Sequence, residues 1–151
     1  METYTHTPKS YIYTPTAATR IFKKQAIATF ERLPKSRETI LIIFEDGSEI
    51  EVSKQIFEKH FKEFRKQKAE TLSPEFDPVT NQWNVLGHQG IIYQIKSEPQ
   101  NCENIECNCP DWKIQKELGI PTPICKHGYA VINNIKQIKH TTQNDLHLVL
   151  A

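Results

Sequence analysis

The apolar positions of the chain fall into alternating and helical stretches separated by turn-forming clusters. Thr39 to Glu45 is dominated by β-branched and aromatic residues, Asp46-Gly47 is a two-residue turn, and Ser48 to Val52 alternates polar residues with Ile50 and Val52. A β-hairpin is predicted there. Ser53 offers an N-cap for a helix through about Lys68, in which Ile56, Phe57, His60, Phe61 and Phe64 recur as one apolar stripe. The opposite face carries Lys54, Lys59, Lys62, Arg65, Lys66 and Lys68 against Glu58 and Glu63. A second hairpin is predicted from Gln82–Leu86, the turn Gly87-His88-Gln89-Gly90 and Ile91–Lys96, with Trp83 and Val85 on one strand and Ile91, Tyr93 and Ile95 alternating on the other. Ala130, Val131, Ile135 and Ile138 give a further helix from Gly128 to about Lys139.

The remaining segments complete an α+β outline: an N-terminal β-hairpin plus amphipathic helix unit, then a ββα module. Residues 1–19, rich in Thr, Tyr and Pro, predict an extended arm, and Arg20–Leu33 predicts a helix through Ile21, Phe22, Ala26, Ile27 and Phe30, ended by Pro34. Pro74 and Pro78, with Ser73 and Asp77, mark 71–81 as a connector between a 20–70 unit and an 82–151 module. Leu146, Leu148 and Leu150 suggest a short terminal strand over 145–151.

Length and composition limit what this outline can do. At 151 residues the chain is one compact domain or a small domain with an appended module. Its longest apolar run, Ile40–Phe44, is far short of a membrane span, and the N-terminus lacks a basic start followed by an apolar core, so a cytoplasmic protein is predicted. The net charge of +1 gives no global field toward nucleic acid or anionic lipid. Residues 1–70 nevertheless hold 13 Lys+Arg against 10 Asp+Glu, and residues 71–151 hold 6 against 8, so any basic patch lies toward the N-terminal half.

The cysteines change the picture. Cys107-Asn108-Cys109 and Cys125-Lys126-His127 form C-x-C and C-x-H, separated by 15 residues. In extended chain, residues i and i+2 point the same way, so each triplet can act as a two-ligand pincer. Two pincers make a tetrahedron, and three thiolates with one imidazole describe a closed structural zinc site holding one Zn²⁺. Pro110 suits the first position of a helix, Asp111 complements its dipole, and Gly119 stops it near Leu118, after which Pro121 and Pro123 return the chain to Cys125. Lys113, Lys116 and Lys126 are cations near a cluster that retains negative charge. Cys102 could replace one of the four ligands, and His140 or His147 could stand in for His127. Cys102 lies in a polar loop five residues ahead of the first pincer and is read as a bystander.

These motifs carry a resemblance. Residues 83–139 resemble the SWIM zinc finger: a hairpin with an aromatic, Tyr93, on its second strand, the continuation Cys109-Pro110-Asp111-Trp112, and Cys125-Lys126-His127 followed by an apolar helix. The resemblance implies a ββα arrangement around zinc, found in chromatin-remodelling helicases, transposase-like proteins, ubiquitin-ligase-related proteins and accessory factors of homologous recombination, with proposed roles in DNA binding and protein–protein interaction. The approach Ile120-Pro-Thr-Pro-Ile124 is longer than the Gly-x-Pro-Cys of many members.

Three function classes follow. A non-enzymatic zinc module could neutralise phosphates through Lys59, Lys62, Arg65, Lys66, Lys113, Lys116 and Lys126, with Lys136 and Lys139 nearby, as a small DNA-associated accessory factor. A protein–protein adaptor could use Trp112 and the Tyr-containing arm as contacts without touching nucleic acid. An enzyme is not expected, because four protein ligands leave no open metal position and no phosphate loop or nucleophile elbow occurs.

Overall fold

The computed structural model describes residues 4–5, 11–32, 38–98 and 101–149. The chain is α+β and divides into two compact units, residues 1–64 and 65–151. Each unit is built on a four-stranded antiparallel sheet whose strands lie side by side in chain order.

In the first unit the sheet comprises β1 (Tyr4–Thr5), β2 (Ala26–Arg32), β3 (Thr39–Phe44) and β4 (Glu49–Ser53). The predicted hairpin pairs Ile40 with Val52 and Ile42 with Ile50. Its turn needs a left-handed residue, which Gly47 supplies at φ 80°, and the Asp46 carboxylate accepts the Ser48 N–H at 3.0 Å. Helix α1 (Pro15–Phe22) precedes β2, and α2 (Lys54–Ala69) follows β4, with the Ser53 hydroxyl accepting the Gln55 N–H at its start. Ala17, Ala18, Ala26, Ile40, Ile42, Phe44 and Phe57 form the core. Of the apolar stripe on α2 only Phe57 is fully buried; His60, Phe61 and Phe64 are half-buried, and Ile56 is exposed.

Two expectations for this region are corrected. The predicted arm is helical from Pro15, because Thr14 caps Ala17 N and Pro15 occupies the first turn, where its missing N–H costs nothing. The predicted 20–33 helix ends at Phe22, where Lys23 turns left-handed at φ 54°, and the chain continues as β2. Ala26, Ile27 and Phe30 have a helical spacing in the sequence, while a bulge between Ala26 and Ala28 in the β2–β3 register breaks the plain alternation of a strand. Pro34 and residues 1–3 and 6–10 lie outside the described residues.

The second unit contains β5 (Pro74–Asp77), β6 (Gln82–Leu86), β7 (Ile92–Glu98), β8 (Asn101–Cys107), α3 (Pro110–Glu117) and α4 (Lys126–Val149). Trp83, Val85, Ile95, Ile105, Val131 and Ile135 pack with three of the cysteines. The segment read as a connector instead adds a strand: β5 pairs with β6, Phe76 opposite Trp83. Pro74 is tolerated because it opens an edge strand, and Asp77 closes the turn by accepting from Val79 N and Thr80 Oγ1. Cys102 lies in β8 rather than in a loop; its side chain is outside the described residues. The predicted terminal strand is the end of α4, since no glycine or proline interrupts that helix between Lys139 and Val149.

Phe57→Ala is expected to lower stability by about 3–5 kcal/mol, read as a lower urea midpoint at unchanged slope. Ile27→Ala, at a position 58% exposed, is expected to cost no more than about 1 kcal/mol.

Candidate metal centre

Cys107 ends β8, opposite Ile95 of β7. Asn108 extends this pairing past the strand: its side-chain oxygen accepts the Gln94 N–H at 3.0 Å, while its own N–H donates to the Gln94 carbonyl at 3.3 Å. The triplet is therefore held extended, Asn108 is exposed, and Cys107 and Cys109 both turn inward. Cys109 is also the N-cap of α3, its sulfur accepting the Trp112 N–H at 3.4 Å. The expected helix is present, with Pro110 in its first turn and Gly119 just past its end at φ 73°.

The second pincer is built differently from the expected extended one. Cys125 immediately precedes α4 and accepts the Gly128 N–H at its sulfur, 3.4 Å away, while His127 is already within the first helical turn. Two of the three sulfurs thus sit at helix N-termini, where N–H groups and the helix dipole favour a thiolate. Gly128 packs closely here: a Cβ would lie 3.1 Å from Ile105 Cγ2 and 3.3 Å from Ile124 Cγ2, so those side chains would have to give by a few tenths of an ångström.

The ligand atoms of Cys107, Cys109, Cys125 and His127 all lie within 4.8 Å of one another, and all four residues are buried. His127 Nδ1 is 3.7 Å from Cys125 Sγ and 4.0 Å from Cys107 Sγ. Ligands about 2.3 Å (sulfur) and about 2.0 Å (nitrogen) from a tetrahedral ion stand roughly 3.5–3.8 Å apart, so an inward shift of about 1 Å or less closes the shell. These four residues can hold a metal ion.

Their protonation shows what such an ion would relieve. Cys109 is held well below the thiol range because Cys107 and Cys125 hydrogen-bond to it. Cys107 is pushed far above that range by its bonds to Cys109 and Cys125 and by burial. Cys125 is pushed up to about 12, a favourable bond to Cys107 being outweighed by the bond to Cys109 and by burial. Thiols this close and this buried oppose one another's ionisation, whereas a divalent cation favours the ionised form of each.

Comparison with protein-family models, curated proteins and solved structures finds no match.

The other residues singled out from the sequence are distributed as follows. His140 is exposed on α4 and does not join the cluster, and the His147 side chain lies outside the described residues. Lys59 and Lys62 are exposed on the first-unit part of α2, and Lys113 and Lys116 are exposed on α3, Lys116 over the Trp112 ring at 5.0 Å. Lys126 is half-buried at the start of α4, and Lys66 lies 6.0 Å from the Tyr129 ring centre. Arg65 grips Asp111 with two hydrogen bonds, 3.0 Å from Nε and 2.7 Å from a terminal nitrogen. Trp112 is half-buried, and its indole N–H donates to the Ile105 carbonyl at 3.0 Å.

Two contributors escaped the sequence reading. Gln115, 1% exposed, bonds both backbone groups of Ile124 next to Cys125. Gly87 makes room for Tyr93, whose ring centre lies 4.4 Å from that of His127. A Cβ on Gly87 would be 2.3 Å from Tyr93 Cε2. The Gly87 turn signal was visible, but this second duty was not. Gly87→Ala is expected to displace the Tyr93 ring and destabilise the second unit by about 1–3 kcal/mol, read as a lower thermal midpoint with altered His127 ring resonances.

Proposed function

We propose that this protein is a non-enzymatic zinc-binding module in which one structural Zn²⁺, held by Cys107, Cys109, Cys125 and His127, braces a surface that binds DNA or a DNA-handling protein. The observation that carries the reading is the convergence of three buried sulfurs and one imidazole nitrogen within 4.8 Å. Thiolate-rich S₃N sets with tetrahedral spacing suit zinc, and four protein ligands leave no position for water or substrate. A structural rather than catalytic role follows from that donor count.

The resemblance to SWIM zinc fingers supports the same reading. The hairpin β6–β7 precedes the Cys-x-Cys pair, Tyr93 lies against His127, and an apolar helix follows the Cys-x-His pair. The DNA-directed part rests on exposed cations of the second unit, Lys113 and Lys116 on α3 and Lys136 and Lys139 on α4, and separately on Lys59 and Lys62 in the first-unit part of α2. Phosphate contacts by such lysines give affinity without base specificity.

Native mass spectrometry is expected to find one zinc per chain, lost with chelator and lost in Cys107→Ser, Cys109→Ser, Cys125→Ser and His127→Ala, but retained in Cys102→Ser. A wild-type chain that takes up no zinc overturns the reading. A duplex-DNA titration across salt tests the second part: three to five phosphate contacts predict a log–log slope of about −3 to −4.5. Binding that is flat with salt, or absent at micromolar protein, removes the DNA role and leaves a protein partner.

A further inference from the structure

We propose that Arg65, Asp111 and Gln115 form a relay of positioning residues that fixes Cys125 and thereby sets the affinity of the centre for its ion. This inference rests on the metal-binding reading above.

The stretch leading to Cys125 has little to hold it. Ile120-Pro121-Thr122-Pro123-Ile124 contains two prolines, which supply no N–H, and it forms neither helix nor strand. Ile120 is tied through its N–H to the Gln115 carbonyl at 3.1 Å. The far end of the stretch, adjoining the ligand, is tied by a side chain instead. Gln115 Oε1 accepts the Ile124 N–H at 3.1 Å, and Gln115 Nε2 donates to the Ile124 carbonyl at 3.2 Å. The amide thus stands in for the peptide group of a paired strand.

The amide can do this in only one orientation, because Ile124 N–H requires the oxygen and the Ile124 carbonyl requires the nitrogen. Asp111 enforces that orientation: its Oδ2 takes the other Nε2 hydrogen at 3.3 Å. Asp111 is in turn held by the two-pronged contact from Arg65. A guanidinium fork fixes the plane of the carboxylate in a way that a point charge would not. The order of action runs from Arg65 on α2 to Asp111 and Gln115 on successive turns of α3, then to the Ile124 peptide groups and the ligand beside them. None of the three side chains belongs to the ligand cluster.

The test measures zinc affinity by competition with a chromophoric chelator, and coordination geometry by the visible absorption of the Co²⁺-loaded protein. Gln115→Met keeps the volume and removes the amide; its zinc affinity is expected to fall about 10–100-fold, with a changed Co²⁺ spectrum. Arg65→Met is expected to cost about 3–10-fold, and the double variant no more than Gln115→Met alone, because the residues act in series. Phe76→Leu, on the edge strand β5 and outside the cluster that holds the cysteines, is expected to loosen the second unit and leave the Co²⁺ spectrum as in the wild type. Should Gln115→Met not fold, Arg65→Lys decides, since it keeps the charge and loses the fork: weakened zinc binding supports the relay. Wild-type affinity and spectrum in Gln115→Met, wild-type affinity in Arg65→Lys, or strictly additive losses in the double variant overturn it. A wild-type chain that binds no zinc instead overturns the underlying reading.

Discussion

Three sulfurs and an imidazole nitrogen enclosed in one small buried space are the constraint on which the second unit turns. Burial alone would keep the thiols protonated, and their mutual proximity makes a second thiolate unfavourable. Secondary structure nonetheless converges there. β8 ends at Cys107, α3 begins after Cys109, and α4 begins after Cys125. A fold that sends one strand end and two helix starts to the same point has arranged backbone N–H groups and positive dipole ends around sulfur.

The first unit solves the same problem of a small core by ordinary means. β3 is buried at Ile40, Leu41, Ile42 and Phe44, and α1 contributes alanines that let its backbone come close. Phe57 adds the bulk, with the Tyr13 ring edge-on to it, 5.8 Å between centres. Its buried Thr29 hydroxyl donates to the Tyr13 carbonyl at 2.6 Å. No ligand cluster is found there among the described residues. The second unit, by contrast, places three cysteines inside its apolar cluster, so its packing and its ligand chemistry share the same atoms.

What could be read in advance follows from the range of each signal. The hairpins were legible because a turn residue and two alternating runs lie within a dozen positions, and α3 because Pro110, Asp111 and Gly119 each act on the helix that contains or adjoins them. The convergence of Cys107, Cys109, Cys125 and His127 was legible because two i, i+2 pairs of Cys and His donors have few other uses. The strand β2 was hidden because Ala26, Ile27 and Phe30 have a helical spacing in the sequence, while a bulge between Ala26 and Ala28 breaks the plain alternation of a strand. β5 was hidden because Pro74 and Pro78 look like a linker until a pairing strand is known. Gln115 was invisible for a stronger reason. A glutamine on a short polar helix carries no local mark of burial, and its partners lie 9 residues on at Ile124 and 4 residues back at Asp111.

The arrangement of charge around the cluster also bears on which cations are left for other work. A divalent ion held by three thiolates and an imidazole would leave one negative charge on the cluster. Each helix N-terminus supplies roughly half a positive charge, and each also donates an N–H to a sulfur, at 3.4 Å from Trp112 and from Gly128. The backbone therefore offsets much of that charge before any lysine is needed. Lys113 and Lys116, so close to the ligands in sequence, are exposed on α3 rather than drawn to the sulfurs. Arg65, the cation with the most directional side chain in this group, is used inside the unit, where a planar fork serves better than a mobile ammonium. Structural duties thus fall to the backbone and the arginine, and Lys113 and Lys116 remain at the surface.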